Sequence, residues 1–130
     1  MRVFRPLIIS LFAVLIFGMQ PAAAAEWQRY SEAKLEAAQA EGKIIYVAVH
    51  ASWCIICKRQ TPVIDALLRE KQFEDTVALI VDFDRQRGFL RKYNVPVQAT
   101  LIAFRGREEI SRVMYSANPR DLRAVMESAL

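Results

Sequence analysis

Residues 44–58 read Ile44-Ile45-Tyr46-Val47-Ala48-Val49-His50-Ala51-Ser52-Trp53-Cys54-Ile55-Ile56-Cys57-Lys58. Ile44 to Val49 is a continuous apolar run rich in β-branched residues, the pattern of a strand buried on both faces. Ala51 and Ser52 make the turn that follows. From about Cys54 to Glu70 the composition is helical, with Pro62 inside the run as a kink. A doubly buried strand feeding a helix implies a central sheet covered on both faces. Everything outside this stretch fits around that unit.

Upstream, Trp27 to Tyr30 is a short lead-in, and Ser31 caps a helix over Glu32–Ala40 that Gly42 stops. Downstream, Val77–Val81 is a second buried strand, Arg85–Tyr93 a short helix, and Thr100–Phe104 a third strand. Arg105-Gly106 turns the chain into a fourth strand, Glu109–Met114. Asn118 caps a last helix that runs to about Leu130, with Pro119 in its first position and Asp121 in its first turn. The order α-β-α-β-α-β-β-α predicts an α/β fold: a central mixed sheet of about four strands with helices on both faces. The aromatics Trp27, Phe73, Phe83, Phe89 and Phe104 read as core. No internal repeat or linker interrupts the pattern.

The chain has 130 residues, one domain's worth. Its 54% hydrophobic and 25% charged residues exclude a disordered protein, and four Gly and five Pro exclude collagen-like and Pro-rich architectures. Two Cys cannot build a multi-bridge scaffold, and one His leaves little room for a His-based metal site. Arg2 and Arg5, the apolar stretch Leu7–Phe17, the break at Gly18–Pro21 and the alanines Ala22–Ala25 read as a secretory signal peptide over 1–25, cleaved before Glu26. An uncleaved anchor is the alternative, though the apolar stretch falls short of the roughly 20 residues that span a bilayer. The domain then covers 26–130. Cleavage removes two of the 18 cations and none of the 14 anions, so a formal charge of +4 becomes +2. The basic positions Lys58, Arg59, Arg85, Arg87, Arg91 and Lys92 are interleaved with acids and form a solvated face rather than a nucleic-acid surface. An exported chain works where disulfides are permitted.

Cys54 and Cys57 stand three apart at a strand-to-helix junction, which puts both sulfurs on one side of the first helical turn. Free backbone N–H groups and the helix dipole at that end favour a thiolate at Cys54, below the ordinary thiol value of about 8.5. Cys54 is expected to be the exposed nucleophile, and Cys57, a turn further in, the buried residue that resolves a mixed disulfide. A structural bridge over so tiny a loop adds little stability. A zinc site lacks a second pair of ligands, His50 being the only further soft one, so no metal is assigned. Trp53, Ile55 and Ile56 form an apolar patch suited to flexible protein segments. The two isoleucines offer a thiolate neither charge nor hydrogen bond, which leans toward a reducing role.

Trp53-Cys54-Ile55-Ile56-Cys57-Lys58, Pro62 five residues after Cys57, Asp84, Tyr93-Asn94-Val95, the strand Thr100–Phe104 and the Arg105-Gly106 turn together resemble the thioredoxin superfamily, in its exported bacterial type. The resemblance covers residues 27 to 130. It implies a thioredoxin-like fold and thiol-disulfide exchange with protein thiols and disulfides through Cys54 and Cys57. No organic cofactor and no nucleic acid is implied. A periplasmic setting is, together with a membrane-bound redox partner that resets the pair. It also implies that the loop with Gln98 and Ala99 faces the cysteines and pairs with an extended substrate.

Three positions depart from the family's pattern. Ala99 stands where the family has a cis-proline, and Pro96 does not fill that place. Because a cis bond before a residue other than proline costs roughly 2.5–4 kcal/mol, the Gln98–Ala99 bond is expected to be trans. Ala48 stands where the family has a buried Asp beneath the resolving cysteine. His50 lies between strand and dithiol, either as a strand-ending residue or as a proton shuttle. The first two departures motivate a rival reading, a metal- or protein-binding module that uses Cys54 and Cys57 as ligands with little turnover.

Overall fold

The computed structural model describes residues 23–130. Most of the leader expected over 1–25 therefore lies outside the described residues. Five strands and four helices follow in the order β1 (Trp27–Arg29), α1 (Glu32–Ala40), β2 (Ile44–His50), α2 (Ile55–Leu68), β3 (Val77–Asp82), α3 (Arg87–Lys92), β4 (Thr100–Arg105), β5 (Glu108–Met114) and α4 (Pro119–Ser128). A single 3-10 turn at Lys71–Phe73 joins α2 to β3.

The sheet has five strands rather than about four, in the order β1-β3-β2-β4-β5. β1 and β2 each run parallel to β3, while β4 pairs antiparallel with both β2 and β5. The additional strand is the segment read as a lead-in. Trp27, Gln28 and Arg29 pair with Ala78, Leu79 and Ile80. Three residues are too few to display alternation, so only the exposed edge of β3 makes them a strand.

The doubly buried reading of β2 holds, with Ile45 through Val49 all buried. One sheet face carries Val47 and Leu79 against Leu35 of α1 and Phe89 and Leu90 of α3. The other carries Tyr46 and Leu101 against Ile64 and Leu68 of α2 and Leu122 and Met126 of α4. Phe73, Phe89 and Phe104 are core, and Trp27 and Phe83 pack at its margins.

The capping chemistry follows the sequence. Ser31 accepts from the Lys34 amide at 3.2 Å and Asn118 from the Arg120 amide at 3.0 Å. Gly42 takes the left-handed φ of 68° that ends α1. Pro62 sits inside an unbroken α2. The antiparallel pairing of β2 with β4 brings the end of one beside the start of the other, Val49 opposite Thr100. Met114, at the end of β5, also pairs with Thr100. One end of the sheet thus gathers the Trp53–Cys57 junction, the segment before β4 and the segment after β5.

Candidate active site

Cys54 and Cys57 form a disulfide, with their Cα atoms 5.2 Å apart. Cys54 is not the first residue of α2 but its cap. Its backbone is extended, and its sulfur accepts the Cys57 amide at 3.1 Å. That N–H is one of the donors a helix start leaves unpaired, and it is aimed at the sulfur that must carry negative charge once the bond is reduced.

The expectation of an exposed Cys54 needs correction. The residue is only 3% exposed, against 1% for Cys57. The two cysteines share a small buried cluster with Ala51 and Ala99, against which Ile56 and Phe83 pack. Capping geometry folds the Cys54 side chain back over the helix end, and Ala99 closes the other side. Its neighbours instead carry the exposure, with Trp53 at 56% and Ile55 at 65%. The apolar patch read from Trp53, Ile55 and Ile56 is therefore uneven, because Ile56 is half-buried. The Trp53 indole donates to the Asp84 carboxylate at 2.8 Å and meets the Phe83 ring edge-on. This fixes the indole beside the disulfide.

Ala99 occupies the left-handed region, with φ 56°, and no peptide bond among the described residues is cis. The Gln98–Ala99 bond is trans, as its residue types require. The Ala99 amide donates to the Val49 carbonyl at 2.8 Å, and its carbonyl accepts from the Tyr115 amide at 2.9 Å. Gln60 adds a third bond, its side-chain amide reaching the Ala99 carbonyl at 3.1 Å and the Ser116 carbonyl at 2.8 Å. Both backbone polar groups of Ala99 are thus engaged inside the protein. The amide and carbonyl of Gln98 make no hydrogen bond within the described residues and remain available to an incoming strand.

Gln60, Met114 and Tyr115 were not singled out from the sequence. Gln60 had a visible signal. It lies one turn after Cys57 on the buried stripe of α2 that continues to Ile64, where a polar side chain has to find a partner. Met114 and Tyr115 are exposed apolar residues that strand pairing brings to the same end of the sheet.

Ala48 is buried on the α2 face of β2, and its register neighbours are Ile80 and Leu101, so this row presents only alkyl groups to α2. His50 and Asp82 face each other one step nearer the strand ends. They line an open cavity of about 460 Å³ together with Arg29, Ser52, Asp84 and Arg85. Among the described residues, no group of three or more His, Cys, Asp and Glu is placed to hold a metal ion.

A thioredoxin family model matches residues 25–128. Thioredoxin of Echinococcus granulosus is 32% identical over 72% of this chain and 85% of its own length. Thioredoxin-2 of Saccharomyces cerevisiae is 30% identical over 78% of this chain and 95% of its own length. The crystal structure of Trxlp from Edwardsiella tarda superposes with a TM-score of 0.75 at 33% identity, covering 78% of this chain and 98% of that one. With the family model spanning nearly all of the described residues, the chain belongs to the thioredoxin family.

Proposed function

We propose that this protein is a protein thiol-disulfide oxidoreductase that works after export, with a lean toward reducing its substrates. The observation that carries the reading is the Cys54–Cys57 disulfide capping α2 beneath exposed Trp53 and Ile55. In the reducing direction the Cys54 thiolate attacks one sulfur of a substrate disulfide. A Cys54–substrate disulfide forms and one substrate thiolate leaves. Cys57, as thiolate, then attacks the Cys54 sulfur and expels the second substrate thiolate. Two electrons have passed to the substrate, and the enzyme ends in the disulfide form. Oxidation of a substrate dithiol is the reverse.

Burial of Cys54 shapes the substrate class. The attacked sulfur has to be delivered to a nearly covered atom, which suits an extended segment lying along Gln98 better than a folded surface. The apolar Trp53 and Ile55 favour flexible or unfolded chains. The export reading is supported by the leader pattern of residues 1–25, and a membrane-bound redox partner would return the pair to its working state.

The test is insulin-disulfide reduction with a chemical reductant, together with trapping in cells. Cys54→Ser is expected to abolish turnover. Cys57→Ser is expected to accumulate covalent complexes through Cys54, with captured proteins that carry leader sequences of their own. Wild-type turnover in both variants would end the dithiol reading. Trapped partners confined to the cytoplasm would end the export reading.

A further inference from the structure

Ala99 is held in a left-handed conformation that its Cβ disfavours, so something must hold it there. The Val49 carbonyl, which accepts from the Ala99 amide, and the Tyr115 amide, which donates to the Ala99 carbonyl, lie at the ends of β2 and β5, but the third tie comes from another layer. Gln60 is only 3% exposed, and its one side-chain amide group spans two carbonyls from segments far apart in sequence, Ala99 before β4 and Ser116 after β5. Tyr115, between those ties, is itself left-handed at φ 55°. A single side chain on the dithiol helix thus fastens both segments that border the disulfide.

We infer that Gln60 is a positioning residue for substrate: by clamping the Ala99 and Ser116 carbonyls it fixes the strained Gln98-Ala99 segment so that the free backbone groups of Gln98 are aimed at a strand lying across Cys54. The clamp supplies in a side chain the rigidity that a proline ring would supply in the backbone. Its side chain makes its hydrogen bonds to the Ala99 and Ser116 carbonyls and none to either sulfur, so its effect falls on binding of an extended substrate more than on sulfur exchange. It also keeps Ala99 against Cys54, which sets how open that sulfur is.

The inference rests on the protein-disulfide reading above, and the experiment separates the two. Gln60→Met keeps the length and bulk of the side chain and removes the donor. Two kinetic substrates are compared, insulin as an extended protein disulfide and dithiobis(nitrobenzoate) as a small one. The ratio of their kcat/KM values is expected to fall about fivefold in Gln60→Met, mainly through a higher KM for insulin. Carboxamidomethylation of reduced Cys54 by iodoacetamide is expected to be about threefold faster, since the Ala99 segment is released. Adding Ala99→Gly to Gln60→Met is expected to leave the ratio low, because glycine relieves the positive φ but supplies no rigidity in place of the clamp.

An unchanged ratio and alkylation rate, whatever happens to the melting temperature, would make Gln60 merely structural and overturn the inference. A fallen ratio that Ala99→Gly restores would mean that relief of strain rather than clamping matters, and would overturn the inference. If Gln60→Met does not fold, Gln60→Leu, which also removes the donor and buries no charge, is judged by the same outcomes. If the wild-type protein reduces no protein disulfide, the function reading fails, and the alkylation rates alone decide the role of Gln60.

Discussion

Ala99 carries more of the site than an alanine ordinarily would. Its position was legible as a departure, because the residue preceding Thr100 is not proline and a trans bond follows from that. The left-handed twist was not legible. It arises from bonds to Val49, Tyr115 and Gln60, which are distant in sequence. Restoring the family's residue should therefore fail. A proline at this position cannot reach φ 56° and loses the amide that donates to Val49 at 2.8 Å. Ala99→Pro is expected to destabilise the fold by about 2 kcal/mol or more unless the whole segment rearranges, as read by urea denaturation. The dithiol itself was fully legible from spacing and position, whereas the burial of Cys54 depends on this same distant segment.

Among elements, β2 and α2 were readable because each has a strong period of its own, a doubly buried strand and a helix beginning at a capping cysteine. β1 was not, since pairing rather than composition defines it. Between sheet and α4 the Arg105 guanidinium reaches the carbonyls at the end of the helix, and the phenol of buried Tyr46 donates to the Met126 carbonyl at 2.8 Å. Neither partner announces this in the sequence, where Tyr46 looks like one more residue in an apolar run. Burial pushes the Tyr46 phenol well above its ordinary 10.0. Tyr30 shifts the same way, chiefly by burial and then by nearby Glu32. A folded-state value above the unfolded one means the stabilisation is complete below pH 10.0 and is lost as the pH rises beyond it. Tyr46→Phe is expected to cost about 1 kcal/mol at neutral pH, a modest amount because Met126 keeps the Ala129 amide at 3.4 Å. Urea midpoints on either side of pH 10.0 should fall less steeply in this variant than in wild type, with Tyr30 and the Glu32-bound Lys92 contributing to the remaining slope.

In the whole molecule, the sheet order β1-β3-β2-β4-β5 brings both chemical segments to one end and leaves the two helical layers to hold them. The layers themselves were legible from alternating helices and buried runs. That the Gln98-Ala99 loop faces the cysteines came from the resemblance alone, because the residues do not themselves state that β4 runs antiparallel to β2. The row across the sheet beneath α2 reads Ile80, Ala48, Leu101. The row continues to Arg29 on β1 and holds no carboxylate, so under the proposed mechanism the hydrogen ion that Cys57 sheds before it attacks has no acceptor there and passes to the medium. Solvent chemistry then enters the rate law. At fixed pH and ionic strength, resolution of a mixed disulfide should quicken as the concentration of a basic buffer component is raised, and replacing Ala48 by Asp should make that rate indifferent to the buffer.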